Sequence, residues 1–121
     1  MILDIGGEGR YPEAWNLNPS AVKTLGTNRG LPIPRRIAGR AEAIPLPANS
    51  VQKVIVERTP LRSAALQEIA RVIANDGIII LRHIRHPYYD PHSLARELLP
   101  GTVIMRICCL GGQELQETEF R

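Results

Sequence analysis

The feature that most constrains the fold is a strand, a helix and a second strand in direct succession across residues 51–84. The first strand, VQKVIVER at 51–58, contains a continuous β-branched run, which is typical of a strand whose two faces are both covered. The helix, at 62–74, repeats apolar side chains at helical spacing, and GIIILRHI at 77–84 is the second strand. This order predicts two parallel strands joined by a right-handed crossover.

Weaker elements before and after this unit extend the same alternation. SAVKTL at 20–25 is a predicted short helix, and a further helix is predicted over 91–99, capped by Asp90. The other predicted strands are ILDI at 2–5, AWNLN at 14–18, RRIAGR at 35–40, TVIMRICCL at 102–110 and ELQETEF at 114–120. A Gly-Gly dipeptide between the last two strands suits a tight turn. We therefore expect one α/β domain over residues 1–121, with a mostly parallel sheet that ends in an antiparallel C-terminal hairpin.

Length, composition and charge restrict the function classes. A chain of 121 residues fits one domain, and no apolar run reaches the roughly 18 residues of a membrane span, so we expect no transmembrane segment. Asp4 interrupts the apolar start, which does not resemble a secretory signal, and we expect a cytoplasmic protein. The net charge is +3 and the arginines are spread along the chain, so we do not expect binding to nucleic acid.

The cysteines and histidines predict no metal site. Cys108 and Cys109 are adjacent in an apolar run, where neighbouring strand side chains point to opposite faces, so a bond between them is not expected. We expect both to be buried apolar filler, with no zinc site. His83, His86 and His92 lack the spacing of a metal-ligand set. No residue is therefore assigned as a metal ligand.

Three closely spaced glycines follow the first strand, in DIGGEG. Alone they fit either a tight turn or a loop whose backbone approaches a ligand, at the strand end where parallel α/β sheets bind ligands. Four stretches, LDIGGEGR, NLNPS, GRAEAIPLPANSVQKVIVE and LQEIARVIANDGIIILRHI, together resemble the class I S-adenosylmethionine-dependent methyltransferases over residues 2–84. The resemblance implies a minimal Rossmann-like methyltransferase sheet and S-adenosylmethionine as the cofactor.

The resemblance also implies which residues contact the cofactor. The glycine loop would approach its methionine part, and the end of the second strand would hold the ribose. The end of the third strand would face the adenine, and the end of the fourth would lie beside the amino group. The implied cofactor residues are Asp4, Gly6, Gly7 and Gly9 in the loop, Asn16 and Leu17 on the second strand, Arg40 and Ala41 after the third, and Glu57 on the fourth.

Three departures from the family pattern affect this implied site. Asn16 lacks the charge of the usual acidic residue, and Arg40 offers only donors to the donor amino group of adenine. Residues 6–13 are fewer than the about 10 to 12 residues that a crossover with its own helix needs. Extended, they reach roughly 26 Å, enough to return along a short strand. We therefore expect the first crossover helix to be missing and part of one sheet face to be uncovered.

Two function classes remain open from the sequence. The first is an S-adenosylmethionine-dependent methyltransferase that acts on a small molecule. Methyl transfer depends mainly on alignment, so the lack of an acid/base motif does not exclude it. The second is a catalytically degenerate methyltransferase fold that serves as a binding or assembly module. The uncovered face predicts a homodimer or a partner protein over it.

Several single residues also have two interpretations. Glu57 either orients a positive group or faces solvent, and Trp15 is expected in the core more often than on a ligand. The residues after the fifth strand form either a substrate wall with a histidine proton acceptor or, as we expect, a solvated loop with aromatic anchors. They are His83, His86, Tyr88 and Tyr89.

Overall fold

The computed structural model covers residues 1–121 and contains seven strands and two helices. The strands are β1 (Ile2–Ile5), β2 (Ala14–Asn18), β3 (Arg36–Ala38), β4 (Val51–Glu57), β5 (Ile73–His83), β6 (Val103–Leu110) and β7 (Gln113–Phe120), and the helices are α1 (Ser63–Val72) and α2 (Pro91–Leu98). The predicted α/β class is confirmed. Neither helix is long and apolar enough to cross a membrane.

All seven strands form one sheet, in the order β3-β2-β1-β4-β5-β7-β6. The first five strands pair in parallel, and β7 runs antiparallel to both of its neighbours. The order 3-2-1-4-5 is that of the doubly wound α/β fold, in which ligands bind at the carboxyl ends of the strands. The mostly parallel sheet with a C-terminal antiparallel hairpin is as predicted.

Both helices cover the same face of the sheet, which we call the helix face. The strand register aligns Leu3, Val54 and Ile79 across β1, β4 and β5, and all three are fully or almost fully buried. The apolar stripe of α1 packs on this row through Leu66 and Ile69, in the same core cluster. The predicted strand-helix-strand unit is thus the centre of the core, because its apolar residues share one face.

The opposite face, which we call the open face, carries no helix. Residues 6–13 join β1 to β2 without helical structure, so the predicted absence of the first crossover helix is confirmed. Ion pairs extend across this face instead. Arg10 binds Asp4 at 2.6 Å and approaches Glu57 at 3.4 Å, and Arg82 lies 3.5 Å from Glu57 and 2.7 Å from Glu117. The three carboxylates are buried, and each is paired with an arginine that is only partly exposed.

The predicted helix over 20–25 is wrong. Val22 instead forms an isolated antiparallel bridge with Pro32, and the amides of Thr24 and Leu25 donate hydrogen bonds to the Glu8 carboxylate. A helix of six residues is unstable alone, so these tertiary hydrogen bonds determine the conformation.

The predicted burial of the cysteines and of Trp15 is also wrong. β6 lies at the sheet edge, where Cys109 is exposed and Cys108 is half-buried, so neither fills the core. Trp15 lies on β2 near the other edge and is 37% exposed. Its ring stacks under the Arg35 guanidinium, 4.7 Å from the ring centroid, a cation–π contact that does not require burial.

Candidate functional site

A cleft of about 150 Å³ lies where β1, β2, β3 and β4 reach their carboxyl ends. Four of the implied cofactor residues line it: Gly6, Leu17, Arg40 and Ala41. The strand order brings them together, because β1 lies between β2 and β4 and the parallel ends meet at one edge. Its wall also contains Thr59 and Pro60 after β4, which sequence reasoning did not identify. We call this the strand-end cleft.

Gly6 is at the centre of this geometry. Its φ of +74° lies in the left-handed region, and a Cβ built on it would overlap the Thr59 hydroxyl. Its amide donates a hydrogen bond to the Leu17 carbonyl at 2.8 Å. Glycine is therefore required here for both conformation and space, and it leaves the backbone open toward the cleft.

A second cavity, of about 320 Å³, adjoins the cleft at Gly6, which lines both. We call it the loop cavity. Its other walls include Gly9, Glu8 and the basic residues Arg10 and Lys23. Gly9 has φ +111°, so the loop turns there in a conformation that favours glycine. The loop cavity therefore combines open backbone with cationic side chains.

Asp4, Asn16 and Gly7 lie together on the open-face side of the loop. Asp4 and Asn16 are register partners, and a Cβ on Gly7 would overlap both of their side chains. Asn16 Nδ2 donates to the Pro34 carbonyl at 2.8 Å, and its Oδ1 is a buried atom with no hydrogen-bond partner. Gly7 is therefore required for packing against these two residues.

The carboxylates of Asp4 and Glu57 are both engaged by side chains of the protein itself. Arg10 forms a two-point contact with Asp4, through Nε at 2.9 Å and Nη2 at 2.6 Å. Burial nevertheless raises the pKa of Asp4, against the opposing effect of Arg10. The Tyr11 hydroxyl donates a hydrogen bond to Glu57 at 2.6 Å. Burial, and to a smaller extent this hydrogen bond, raises the pKa of Tyr11 to about 12. Glu57 thus orients positive groups, and they belong to the same chain.

Arg10 and Lys23 were missed by the sequence reasoning. Arg10 directly follows the glycine loop, but Lys23 lies outside it, and their contribution to one cavity depends on the path of residues 20–33. That segment returns over the loop through the bridge of Val22 and Pro32 and the bond of Ile33 N to Ala21 O at 3.1 Å. No local periodicity encodes this return.

A third cavity, of about 370 Å³, lies at the ends of β4 and β5. Its walls are Arg58, His83, Ile84, His86 and Tyr89. We call it the β5-end cavity. Arg58 precedes Thr59 of the strand-end cleft, so the two spaces are neighbours along the chain as well as along the sheet edge.

His83 is not part of a solvated loop, contrary to the expectation. It is the buried last residue of β5 and forms a hydrogen-bonded chain with His92 and Thr118. Because the Thr59 carbonyl at 2.6 Å can only accept, His83 Nε2 carries a proton and Nδ1 accepts from His92 Nε2 at 2.8 Å. His92 Nδ1 then accepts from the Thr118 hydroxyl at 2.7 Å. Burial lowers the pKa of both histidines, that of His92 to about 4.

The remaining polar groups of the β5-end cavity are also engaged. The Tyr89 hydroxyl donates to the Leu61 carbonyl at 3.0 Å and accepts from the Leu61 amide. His86 Nδ1 accepts from the Tyr88 amide at 3.1 Å, which leaves its Nε2–H as a donor. Tyr88 itself is 92% exposed and lines no cavity. Neither His83 nor neutral His86 therefore presents a free proton acceptor.

Comparison with known proteins adds the fold family to this geometry. No protein-family model matches the chain, and no curated protein matches it in sequence. Its structure is similar to a SAM-dependent methyltransferase from Thermotoga maritima, with a TM-score of 0.70 and 16% identity over 98% of this chain and 80% of that one. The chain has the class I methyltransferase fold. At this identity the similarity establishes the methyltransferase fold alone.

Two further structures have the methyltransferase fold. A SAM-dependent methyltransferase from Aquifex aeolicus has a TM-score of 0.65 and 15% identity, covering 98% of this chain and 80% of that one. A putative methyltransferase from Haloferax volcanii, in complex with the Trm112 activator, has a TM-score of 0.52 and 18% identity, covering 80% of this chain and 51% of that one. A protein from Bacillus subtilis is covered over only 47% of its length. The chain thus spans between about half and four-fifths of these structures.

The residues that line the strand-end cleft and the loop cavity fit S-adenosylmethionine, but some of them are not among the cofactor residues that the family resemblance implied. The strand-end cleft alone, at about 150 Å³, is below the roughly 300–1,000 Å³ of ligand sites. The loop cavity extends it across the open backbone of Gly6. Of its two cations, Arg10 is engaged by Asp4 and Glu57, whereas Lys23 forms no ion pair and carries the kind of charge that a carboxylate would need where the helix N-terminus is absent.

Proposed function

We propose that this methyltransferase fold binds S-adenosylmethionine and transfers its methyl group to a small molecule. The observation that carries the proposal is the pair of adjoining spaces at Gly6, at the edge of the sheet where this fold binds ligands. The cofactor supplies a methyl group already activated on a sulfonium. The protein then has to align donor and acceptor and exclude water.

The proposed roles of the cleft residues follow from their chemistry. Leu17 and Ala41 provide apolar contact for the adenosine, and Gly6 allows the close approach of the backbone. Lys23 holds the carboxylate of the methionine part, since the Arg10 guanidinium also binds Asp4 and Glu57. Arg40 remains a departure, and its exposed side chain points to a looser adenine contact than an acidic residue would give.

The β5-end cavity is the proposed substrate site. Its volume of about 370 Å³ suits a small molecule, and Ile84, Tyr89 and the histidine rings offer mostly apolar contact. His86 Nε2–H can donate to a polar atom of the substrate. Because the side chains that line the cavity leave no acceptor free, the methyl acceptor would attack through a lone pair or an anion that it already carries.

Calorimetric titration with S-adenosylmethionine tests this proposal. Ala41→Trp places a large ring in the strand-end cleft and should weaken binding at least about tenfold, which is about 1.4 kcal/mol. Ala43→Trp is the matched control, because Ala43 is an exposed neighbour that does not line the cleft. Equal binding by both variants would place the cofactor elsewhere, and no heat with the unmodified protein would contradict the proposal.

The second candidate is a catalytically degenerate methyltransferase fold that serves as a binding or assembly module. The contacts of Arg10 with Asp4 and Glu57 favour it, because both implied cofactor carboxylates are occupied by the chain's own cation. A homodimer or a partner protein belongs to this proposal, and the Haloferax methyltransferase is itself a complex with an activator. Failure to bind the cofactor, together with a stable dimer or complex by light scattering, would support this candidate over the first.

A further inference from the structure

The two edges of the sheet differ sharply in how well they are protected. β3 forms one edge with three residues, Arg36–Ala38. β6 forms the other with eight residues, Val103–Leu110, paired with β7 in continuous register and without a bulge. Eight residues extend over about 27 Å. Natural edge strands are usually short, bulged, or protected by proline or charge, and β6 has none of these apart from one arginine.

β6 also exposes apolar side chains on both faces. The register with β7 places Met105 and Ile107 on the helix face, and they are 50% and 54% exposed. Ile104 lies on the open face and is 39% exposed. The strands β1, β4, β5 and β7 bury most of their large apolar side chains, so β6 differs from all four.

The hairpin turn determines which backbone groups of β6 face outward. Gly111 and Gly112 form a two-residue loop with φ of +59° and +75°, as a type I′ turn requires. The pair that flanks such a loop, Leu110 and Gln113, is hydrogen-bonded, and the bonding alternates along the strands. Residues 103, 105, 107 and 109 therefore direct their amides and carbonyls away from β7. They form a row of unpaired groups along the free edge.

The charge of β6 does not protect this edge. Arg106 is its one charged residue, and it binds Glu117 across the hairpin and lies 3.6 Å from Glu119. Arg96 of α2 approaches the edge from the helix face, with Nη1 3.5 Å from the Met105 sulfur. Arg106 is therefore paired with carboxylates of β7 rather than free to repel a second strand, and Arg96, which forms no ion pair, lies over the helix face and not within β6.

We propose that β6 pairs in antiparallel orientation with β6 of a second copy of this chain. An antiparallel edge is complementary to itself, because a two-fold axis perpendicular to the sheet brings each outward amide opposite an outward carbonyl. The same axis makes the helix faces of the two copies continuous. The exposed apolar side chains on each face of β6 therefore contact the corresponding apolar side chains of the second copy. The seven-stranded sheets of the two copies then form one continuous sheet.

The sequence of β6 limits the register of this pairing. A two-fold axis at Arg106 would place two arginines directly opposite each other, which is destabilising. An axis at Ile107 places Arg106 opposite Cys108 and pairs Ile107 with itself. This second register keeps apolar side chains together on the helix face and separates the charges, so we assign it in preference to the register centred on Arg106.

Light scattering at increasing protein concentration tests the pairing. The mass should rise from the 13.4 kDa of one chain to twice that value. Ile107→Lys places a charge at the centre of the edge and should return the protein to the mass of one chain at every concentration. Leu25→Lys is the matched control, because Leu25 is 72% exposed but lies far from β6 in the sequence and outside the sheet. A single-chain mass for the unmodified protein would overturn the proposal.

Hydrogen exchange of the same samples locates the interface. The outward amides of Met105, Ile107 and Cys109 should become protected as the concentration rises, while those of β3 should not change. A dimer that persists in Ile107→Lys, or protection confined to residues 6–13 on the open face, would show another interface and overturn the proposal. The pairing does not depend on the proposed methyl transfer. A negative cofactor titration would therefore contradict only the proposed function, and a single-chain mass would contradict only the pairing.

Discussion

At the scale of single residues, the glycines after β1 have different physical roles. Gly6 combines a left-handed φ with a lack of space beside Thr59, whereas Gly7 meets only the second condition, against Asp4 and Asn16. The sequence identified the glycine loop, but not these reasons. They depend on side chains from β2 and from the segment after β4, which the sheet brings to the loop.

Gly6→Ala should destabilise the protein by about 2–3 kcal/mol, since it adds conformational strain to a steric overlap with Thr59. Gly26→Ala is the matched control, because Gly26 has nearly the same φ, +71°, and a Cβ added there would meet no atom within 4 Å. The Gly26→Ala variant should lose only the contribution of conformational strain, about 1 kcal/mol of the free energy of unfolding. Urea unfolding measures both, and equal losses would contradict a role for the Thr59 contact.

The buried histidine chain predicts a dependence of stability on pH. The folded state holds the pKa of His92 at about 4, below its ordinary value of 6.5, because burial disfavours the charged ring. Between these values the unfolded chain binds more protons, so the stabilisation is complete above about pH 6.5 and is lost as the pH falls toward 4. The loss from His92 should reach about 3 kcal/mol.

Urea unfolding at a series of pH values checks this dependence. Carboxyl groups of the unfolded chain titrate at the lower end of this range. They include Glu117, whose pKa in the folded protein is lowered by hydrogen bonds from Arg82 and Arg106, against the effect of burial. The comparison is therefore with His92→Gln, which keeps polar atoms near Thr118 but cannot titrate. The variant should show the shallower slope of stability against pH, and identical slopes would contradict the assignment.

At the scale of elements, the ion pairs of the open face take the place of helical cover. Glu117 on β7 is central, because it binds Arg82 from β5 and Arg106 from β6 and is only 5% exposed. The three strands are therefore joined by side chains as well as by their backbone ladder. The register of the sheet places Glu57 opposite Arg82, and Glu117 opposite both Arg82 and Arg106.

Glu117→Gln should destabilise the protein by about 2–3 kcal/mol, because Arg82 and Arg106 lose their shared carboxylate and the partly buried Arg82 keeps only the longer contact with Glu57. Glu114→Gln is the matched control on the same strand, since Glu114 is exposed and forms no ion pair. Thermal unfolding compares the two variants. A loss no larger than that of the control would show that the open face does not depend on this ion pair.

At the scale of the whole molecule, the methyltransferase fold follows from features that are local in the chain. The β-branched run of β4, the stripe of Leu66 and Ile69 in α1, and the Gly-Gly turn each act within a few residues. The short loop over 6–13 predicted the absence of the first crossover helix by length alone. The helix predicted for SAVKTL does not form, because its weak helical preference competes with hydrogen bonds to the distant Glu8.

The candidate site was only partly predictable for the same reason. Gly6, Leu17, Arg40 and Ala41 line the strand-end cleft, but Lys23, Arg10 and Thr59 complete its surroundings through contacts between distant segments. The sequence by itself determined most of the elements, their mostly parallel arrangement and the missing helix, because periodicity, turn residues and chain length are local properties. Only the tertiary structure decided the ion pairs of the open face, the buried histidine chain and the walls of the cavities. Those depend on register and on long-range packing, which bring together side chains that are far apart in the chain.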